Sequence, residues 1–216
     1  MMPLSPRRDG KPAFWVTQIA KVLVGDRPCL LAPWLSGHFQ IQKSQRDSAS
    51  LATWKANHTD LLQRTVERYR AEGWKCDVER FFKVEGTTAI LSGKADLVAQ
   101  QTDKRPLIVD VKSGQPQESH VAQVAVEMIA IPLAGGVTMT FDGLVIYPEH
   151  EVAVSPQDAE SLAPKCFRML KQLALTSRPT AAPSEQACRF CDVPEDLCQD
   201  RWKALTDQLV AQTILF

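Results

Sequence analysis

The chain has 216 residues, 44% of them hydrophobic, with 25 Lys and Arg balanced by 25 Asp and Glu and with six cysteines. That size and composition exclude a disordered chain and fit one large domain, or a domain with a small appendage. No apolar run approaches the ~18 residues of a membrane-spanning helix, and no apolar signal core follows Arg7 and Arg8, so a cytoplasmic location with no membrane partner is the default expectation.

Residues 17–24 predict a short helix with Thr17 as the candidate N-cap, ended at Gly25. Residues 34–39 read as a loop or short helix. A long amphipathic helix is expected over 46–72, with Leu51, Trp54, His58, Leu61, Leu62, Thr65, Val66 and Tyr69 close to a 3.6 period and Gly73 closing it. Strands follow: 76–85 and 87–100 as a hairpin around Gly86, then 106–112. Residues 117–131 predict a helix that is apolar on most sides and is stopped by Pro132. Further strands are expected over 137–147 and 151–154, a helix over 156–176, and a final helix over 201–215. No internal repeat is present. This order suggests an α/β fold, a mixed sheet flanked by helices.

Two short motifs in the strand region carry chemistry. Asp96 interrupts the apolar run of Ser92-Gly93-Lys94-Ala95-Asp96-Leu97-Val98, and Asp110 and Lys112 fall on one face of Ile108-Val109-Asp110-Val111-Lys112. Taken singly, each motif is more simply a solvated strand end or a turn acid. Together, at a hairpin-length separation, they form a hard-oxygen site suited to Mg2+ or Mn2+, with a lysine able to orient a water or to neutralise charge on a phosphate. His120, Gln123 and Glu127 form a polar stripe on the next helix. It is either a solvent face or a stripe aimed at a cleft. His58 lies on the core-facing side of the long helix, an ordinary core histidine unless the two carboxylates face it.

Cys188, Cys191 and Cys198 cluster after a Pro/Ala/Ser stretch at 178–184, and Cys29 lies near the other end of the chain. In a reducing compartment clustered thiols bind metal more often than they form disulfides. This spacing allows zinc or iron–sulfur, with Cys29 as the candidate fourth ligand stapling the two ends together. Cys76 and Cys166 read as small core residues. Charge is uneven: residues 1–112 hold 18 Lys and Arg and 12 Asp and Glu, and residues 113–216 hold 7 and 13. Either a basic face turns to phosphates or this is ordinary scatter.

His58, Gly93-Lys94-Ala95-Asp96, Asp110-Val111-Lys112 and Gln123, in that order, resemble the RecB-like branch of the PD-(D/E)xK nuclease superfamily. With one cysteine before this series and three after it, the chain looks like the iron–sulfur nucleases, above all the CRISPR-associated "Cas-four" family. The resemblance spans roughly 17–202. It implies a restriction-endonuclease-like core at 46–178, with an N-terminal segment (1–45) and a C-terminal segment (179–216) joined at a [4Fe–4S] cluster on Cys29, Cys188, Cys191 and Cys198.

The resemblance also implies a Mg2+- or Mn2+-dependent DNA nuclease. His58, Asp96, Asp110 and the Val111 carbonyl would hold the metal, Lys112 would position the water, and Gln123 would support the site or the DNA. Glu79 matches a less regular acidic position. Single-stranded DNA ends, as prespacers, and the CRISPR integrase proteins are the implied partners. An iron–sulfur nuclease of repair or of a mobile element, and a non-catalytic metal-stabilised DNA-binding module, are the alternatives. Glu127 departs from the family, which usually places a tyrosine four residues after the glutamine.

Overall fold

The computed structural model describes residues 5–6, 10–41, 48–189 and 191–203. Their strands are β1 (Ser5–Pro6), β2 (Ala13–Trp15), β3 (Phe39–Gln40), β4 (Lys75–Glu85), β5 (Ile90–Gln100), β6 (Leu107–Val111), β7 (Asp142–Ile146) and β8 (Glu151–Val154). The helices are α1 (Val16–Leu23), α2 (Leu31–His38), α3 (Ser48–Ala71), α4 (Glu118–Gly135), α5 (Pro156–Leu173) and α6 (Glu185–Arg189). The final helix expected over 201–215 falls almost wholly outside the described residues. No helix among them is long and apolar enough to cross a membrane.

The α/β expectation holds: β1 and β3 pair apart, and the other six strands form one mixed sheet between two helical layers. The long strand β5 organises it. β4 runs antiparallel along one whole edge of β5. The other edge is shared by β2, parallel to residues 90–92, and β6, antiparallel to residues 97–99. Residues 93–96 have no registered partner on that edge, so β2 and β6 diverge there and leave a fork beside Asp96. β7 then pairs parallel to β6, and β8 antiparallel to β7.

Apolar side chains divide between the two faces. Phe14, Val16, Ile19, Val124 and Ala125 pack with Leu91, Ala95 and Val98 in one core, beneath α1, α2, α4 and α5. On the opposite face Leu61, Leu62, Val66 and Tyr69 of α3 pack on Leu97, Ala99, Val109 and Val111. Strict alternation along β5 therefore slips by one residue at Asp96: Leu91 and Ala95 face the first core, Leu97 and Ala99 the second. The β4–β5 ladder lacks a rung at the same point, where Glu79 takes a left-handed φ of 55°. This kink turns Asp96 toward the end of β6.

Several boundaries differ from expectation. Trp15, not Thr17, caps α1, because the three-residue strand β2 feeds straight into the helix and was too short to show a period. Pro132 lies inside α4, in its last turn, where it forfeits one backbone bond and crowds the carbonyl four residues earlier without ending the helix; the helix ends at Gly136, whose φ is 62°. The strand expected over 137–147 is only β7. Helix α5 begins as expected, with Pro156 in the first turn and reciprocal Ser155–Asp158 capping bonds. Trp54, counted in the apolar stripe of α3, is 49% exposed, because the sheet packs only under the later turns.

Gly93 marks the closest approach of β5 to the β2–α1 junction. A Cβ there would sit 2.4 Å from the Phe82 ring and 2.6 Å from Val16. Gly93→Ala should therefore lower unfolding stability by about 1–3 kcal/mol, read as a drop in urea midpoint at unchanged slope; an unchanged midpoint would show that β5 has room to shift.

Candidate active site

The fork between β2 and β6 collects the polar residues that the sequence singled out. β6 delivers Asp110 at its end, with Lys112 just beyond. Asp110 is 1% exposed and Lys112 Nζ lies 2.6 Å from its Oδ2. The kink in β5 brings in Asp96, whose Oδ2 accepts a hydrogen bond from the Val111 backbone N–H at 2.8 Å. From α3, His58 places Nε2 3.7 Å from Asp96 Oδ1, and Trp54 stacks on the His58 ring. Asp96, Asp110, Lys112, His58 and Val111 are thus brought together.

Beneath them lies the polar stripe of α4, which is no solvent face. Gln123 is buried, and its amide donates to Asp110 Oδ1 at 2.9 Å and to Glu127 Oε1 at 3.0 Å. Its carbonyl oxygen accepts from Thr17 Oγ1 at 3.3 Å and from Lys112 Nζ at 3.4 Å. Both N–H groups and both lone-pair directions are used, so the amide has one satisfied orientation, and it fixes Asp110. Glu127 is fully buried, and its Oε2 has no hydrogen-bond partner. His120 diverges from the stripe to Tyr147, with Nδ1 and the phenol oxygen 2.9 Å apart. Thr17 and Tyr147 were missed in the sequence. Thr17 carried only a capping signal, and no motif marks Tyr147.

Charge is the dominant feature. Burial, then the neighbouring Asp110, raises the Asp96 carboxyl to about 7. The same two causes push Glu127 well above the ordinary glutamate range. Burial opposes charge on Lys112, but Asp110 first, then Asp96 and Glu127, outweigh it and hold the ammonium above its usual value. Burial, then Lys112, lowers His58 and brings His120 down to about 4, so both rings are neutral near pH 7. Three buried carboxyl groups thus share one ammonium. Glu79 stands apart: it is exposed and pairs with Lys94.

The four cysteines that the resemblance assigns to a cluster line one cavity of about 620 Å³. Cys29 comes from the segment before α2, Cys188 from α6, Cys191 from the following turn and Cys198 from the end of a 3-10 turn at Glu195–Leu197. Arg201 braces this loop, donating to the Cys188 and Val193 carbonyls. Burial raises the Cys191 and Cys198 thiols, and both thiols lie within electrostatic reach of Cys29 and Cys188. All six cysteines are free thiols. Among the described residues no three His, Cys, Asp or Glu side chains are drawn close enough to grip a metal ion as they stand. As expected, Cys166 is a core residue, its buried thiol raised to about 11; Cys76 is half-buried at the margin of the second core.

A family model described as the PD-(D/E)XK nuclease superfamily matches residues 29–199. No curated protein matches the chain. Among solved structures, the protein titled SSO0001 is similar over 91% of each chain at 11% identity, with a TM-score of 0.48. An alkaline exonuclease from Laribacter hongkongensis, LHK-Exo, is similar over 77% of this chain and 89% of its own, at 14% identity and a TM-score of 0.44. The same exonuclease in complex with dAMP gives 14% identity and a TM-score of 0.44 over 74% of this chain and 87% of that one.

Proposed function

The chain belongs to the PD-(D/E)XK nuclease superfamily, and on that premise we propose that it is a divalent-cation-dependent deoxyribonuclease that trims single-stranded DNA ends. One observation carries the reading: Asp96, Asp110 and Glu127 are buried around a single ammonium, that of Lys112. Ionising three buried carboxyl groups around one ammonium is costly without a cation from solution. Carboxylate oxygens, a carbonyl and an imidazole are donors that suit Mg2+ or Mn2+.

Asp96, Asp110, the Val111 carbonyl and His58 would hold the cation. When bound, it would supply a Lewis acid at the scissile phosphate. Lys112 orients the attacking water and opposes charge developing on the phosphate oxygens. Gln123 keeps Asp110 and Lys112 in register through its two-sided amide.

The four cysteines are read as ligands of a [4Fe–4S] cluster, as in the "Cas-four" family. The support is that thiols from both ends of the chain line one cavity and form an all-sulfur donor set, which suits iron–sulfur or zinc. A cluster there would clasp residues 1–45 to residues 179–216 around the core. In that setting the DNA ends are prespacers passed to the CRISPR integrase proteins.

The experiment combines iron, sulfide and zinc analysis of anaerobically purified protein with cleavage of 5′- and 3′-labelled single strands. Brown protein with matching iron and sulfide is expected, with strand shortening that depends on Mg2+ or Mn2+ and stops in EDTA. Colourless protein with stoichiometric zinc overturns the cluster, and cation-independent or absent cleavage overturns the nuclease reading. Cys191→Ser should lose the metal and melt about 10 °C lower if the metal is a staple.

A further inference from the structure

Three large aromatic side chains near the fork are left out of both cores. Trp15 is 41% exposed, Phe81 60% and Trp54 49%. Trp15 and Phe81 lie side by side, with ring centroids 6.3 Å apart. Their positions follow from register: Trp15 pairs with Ser92 across β2–β5, and Phe81 pairs with Lys94 across β4–β5. Paired residues share a sheet face, as do Ser92 and Lys94, which are two apart on one strand. All four therefore stand on one open face. Ser92 precedes Asp96 by four residues, ~13 Å along the strand. Trp54 spans the remaining gap: it lines the same cavity as Trp15 and Ser92, and its ring stacks on His58 at 5.4 Å.

Exposed aromatic rings that cluster beside a catalytic centre need an occupant. The charges around them favour a polyanion. Lys94 and Lys83 share this face, paired with the exposed Glu79 and Glu85, and Lys11 holds Glu85 and the Gly86 carbonyl near the end of the same hairpin. Surface pairs of this kind are weak and screened, so the ammonium groups can turn to phosphates. Lys21 and Arg27 line that same cavity, on which the four cysteines also open. Flat aromatic faces between cations fit unpaired bases, which offer their own faces for stacking; a duplex keeps its bases stacked inside.

From this arrangement we infer that Trp15 and Phe81 form a base-stacking platform that feeds single-stranded DNA past Trp54 to Asp96 and Asp110. The inference rests on the nuclease reading, and it adds the device by which single strands are preferred over duplex. Stacking energy, not base-edge hydrogen bonding, sets the preference, so the platform tolerates any sequence.

The test measures binding without cleavage. Metal-free protein in EDTA is titrated into a fluorescein-labelled oligothymidylate and into an abasic strand of equal length. The Trp15→Ala/Phe81→Ala double variant should bind oligothymidylate at least about tenfold more weakly than the wild type, and the two proteins should bind the abasic strand alike. Trp15→Phe/Phe81→Tyr, which keeps two aromatic faces, should restore most of the affinity. Equal oligothymidylate affinity in the alanine variant overturns the platform, whether or not self-association changes; so does an equal loss on the abasic strand, which would mean backbone contact. Failure of the wild type to cleave any DNA strikes instead at the nuclease reading, and the binding comparison separates the two.

Discussion

Asp110→Asn should lower cation-dependent DNA cleavage by about a thousandfold, yet raise the thermal stability of the metal-free protein at about pH 8. The loss of activity follows from removing a carboxylate that is 1% exposed and lies at the centre of the fork. The gain in stability follows from the same charge imbalance. Asp110 is a cause of the upward shifts at both Asp96 and Glu127, so its neutralisation relieves two buried repulsions. Lys112 loses its 2.6 Å partner but still faces Asp96 and Glu127. The Asn carbonyl can still accept from Gln123.

Lys112→Met should have the opposite stability sign with a similar loss of activity. It removes the ammonium that faces all three acids and should cost about 3–5 kcal/mol. Melting curves and single-turnover cleavage of both variants check the pair. A stabilised Lys112→Met, or a destabilised Asp110→Asn with full activity, would show that the acids are not the strained partners.

The second large effect is a reversal of the pH dependence of stability by a divalent cation. Asp96 titrates near 7 in the fold, against 3.8 in the unfolded chain. Between those values the folded state holds a proton that the unfolded state has released. Stability therefore falls as pH rises through that window and levels off above it. Glu127, also raised, acts in the same direction. His120 acts oppositely: with its folded value lowered to about 4 from 6.5, it adds stability as pH rises between them. Lowered His58 adds in the same sense below 6.5.

The acid contribution is therefore cleanest above about pH 6.5, where the metal-free wild type should lose melting temperature toward pH 8.5 and Asp96→Asn should lose less. Excess Mn2+ should invert this slope, because cation binding requires the deprotonated carboxylates. At about a hundredfold excess over Kd the melting temperature should rise by about 5–10 °C. A cation effect of equal size at pH 5.5 and 8.5 would contradict the linkage.

The sequence reveals those parts of this site that depend on local pattern. The β-branched run ending in Asp110 and Lys112 shows both its strand and its face, because strand alternation is local. The hairpin of β4 and β5 is marked by Gly86. The kink at Glu79 and Asp96 is not marked, because a left-handed φ at a glutamate is imposed by the sheet and has no composition signal. Spacing put Gln123 and Glu127 on one stripe, but whether that stripe meets water or a carboxylate depends on what packs against α4. Trp54 shows the reverse error: its helical spacing matches Leu61 and Val66, yet α3 outruns the sheet and leaves the ring at the cavity. The strand β2 was too short for any period, so Trp15 lost its context and Thr17 was read only as a cap.

On this account the fork between β2 and β6 is a cation site built on Asp96 and Asp110. Calorimetric titration of Mn2+ into metal-free protein at about pH 8 tests it most directly, since that lies above the value of about 7 to which the Asp96 carboxyl is raised. The wild type should bind with a clear saturating heat, and Asp96→Asn and Asp110→Asn should each abolish it. Saturable binding that survives both substitutions, or a wild type that binds no Mn2+, would contradict the claim.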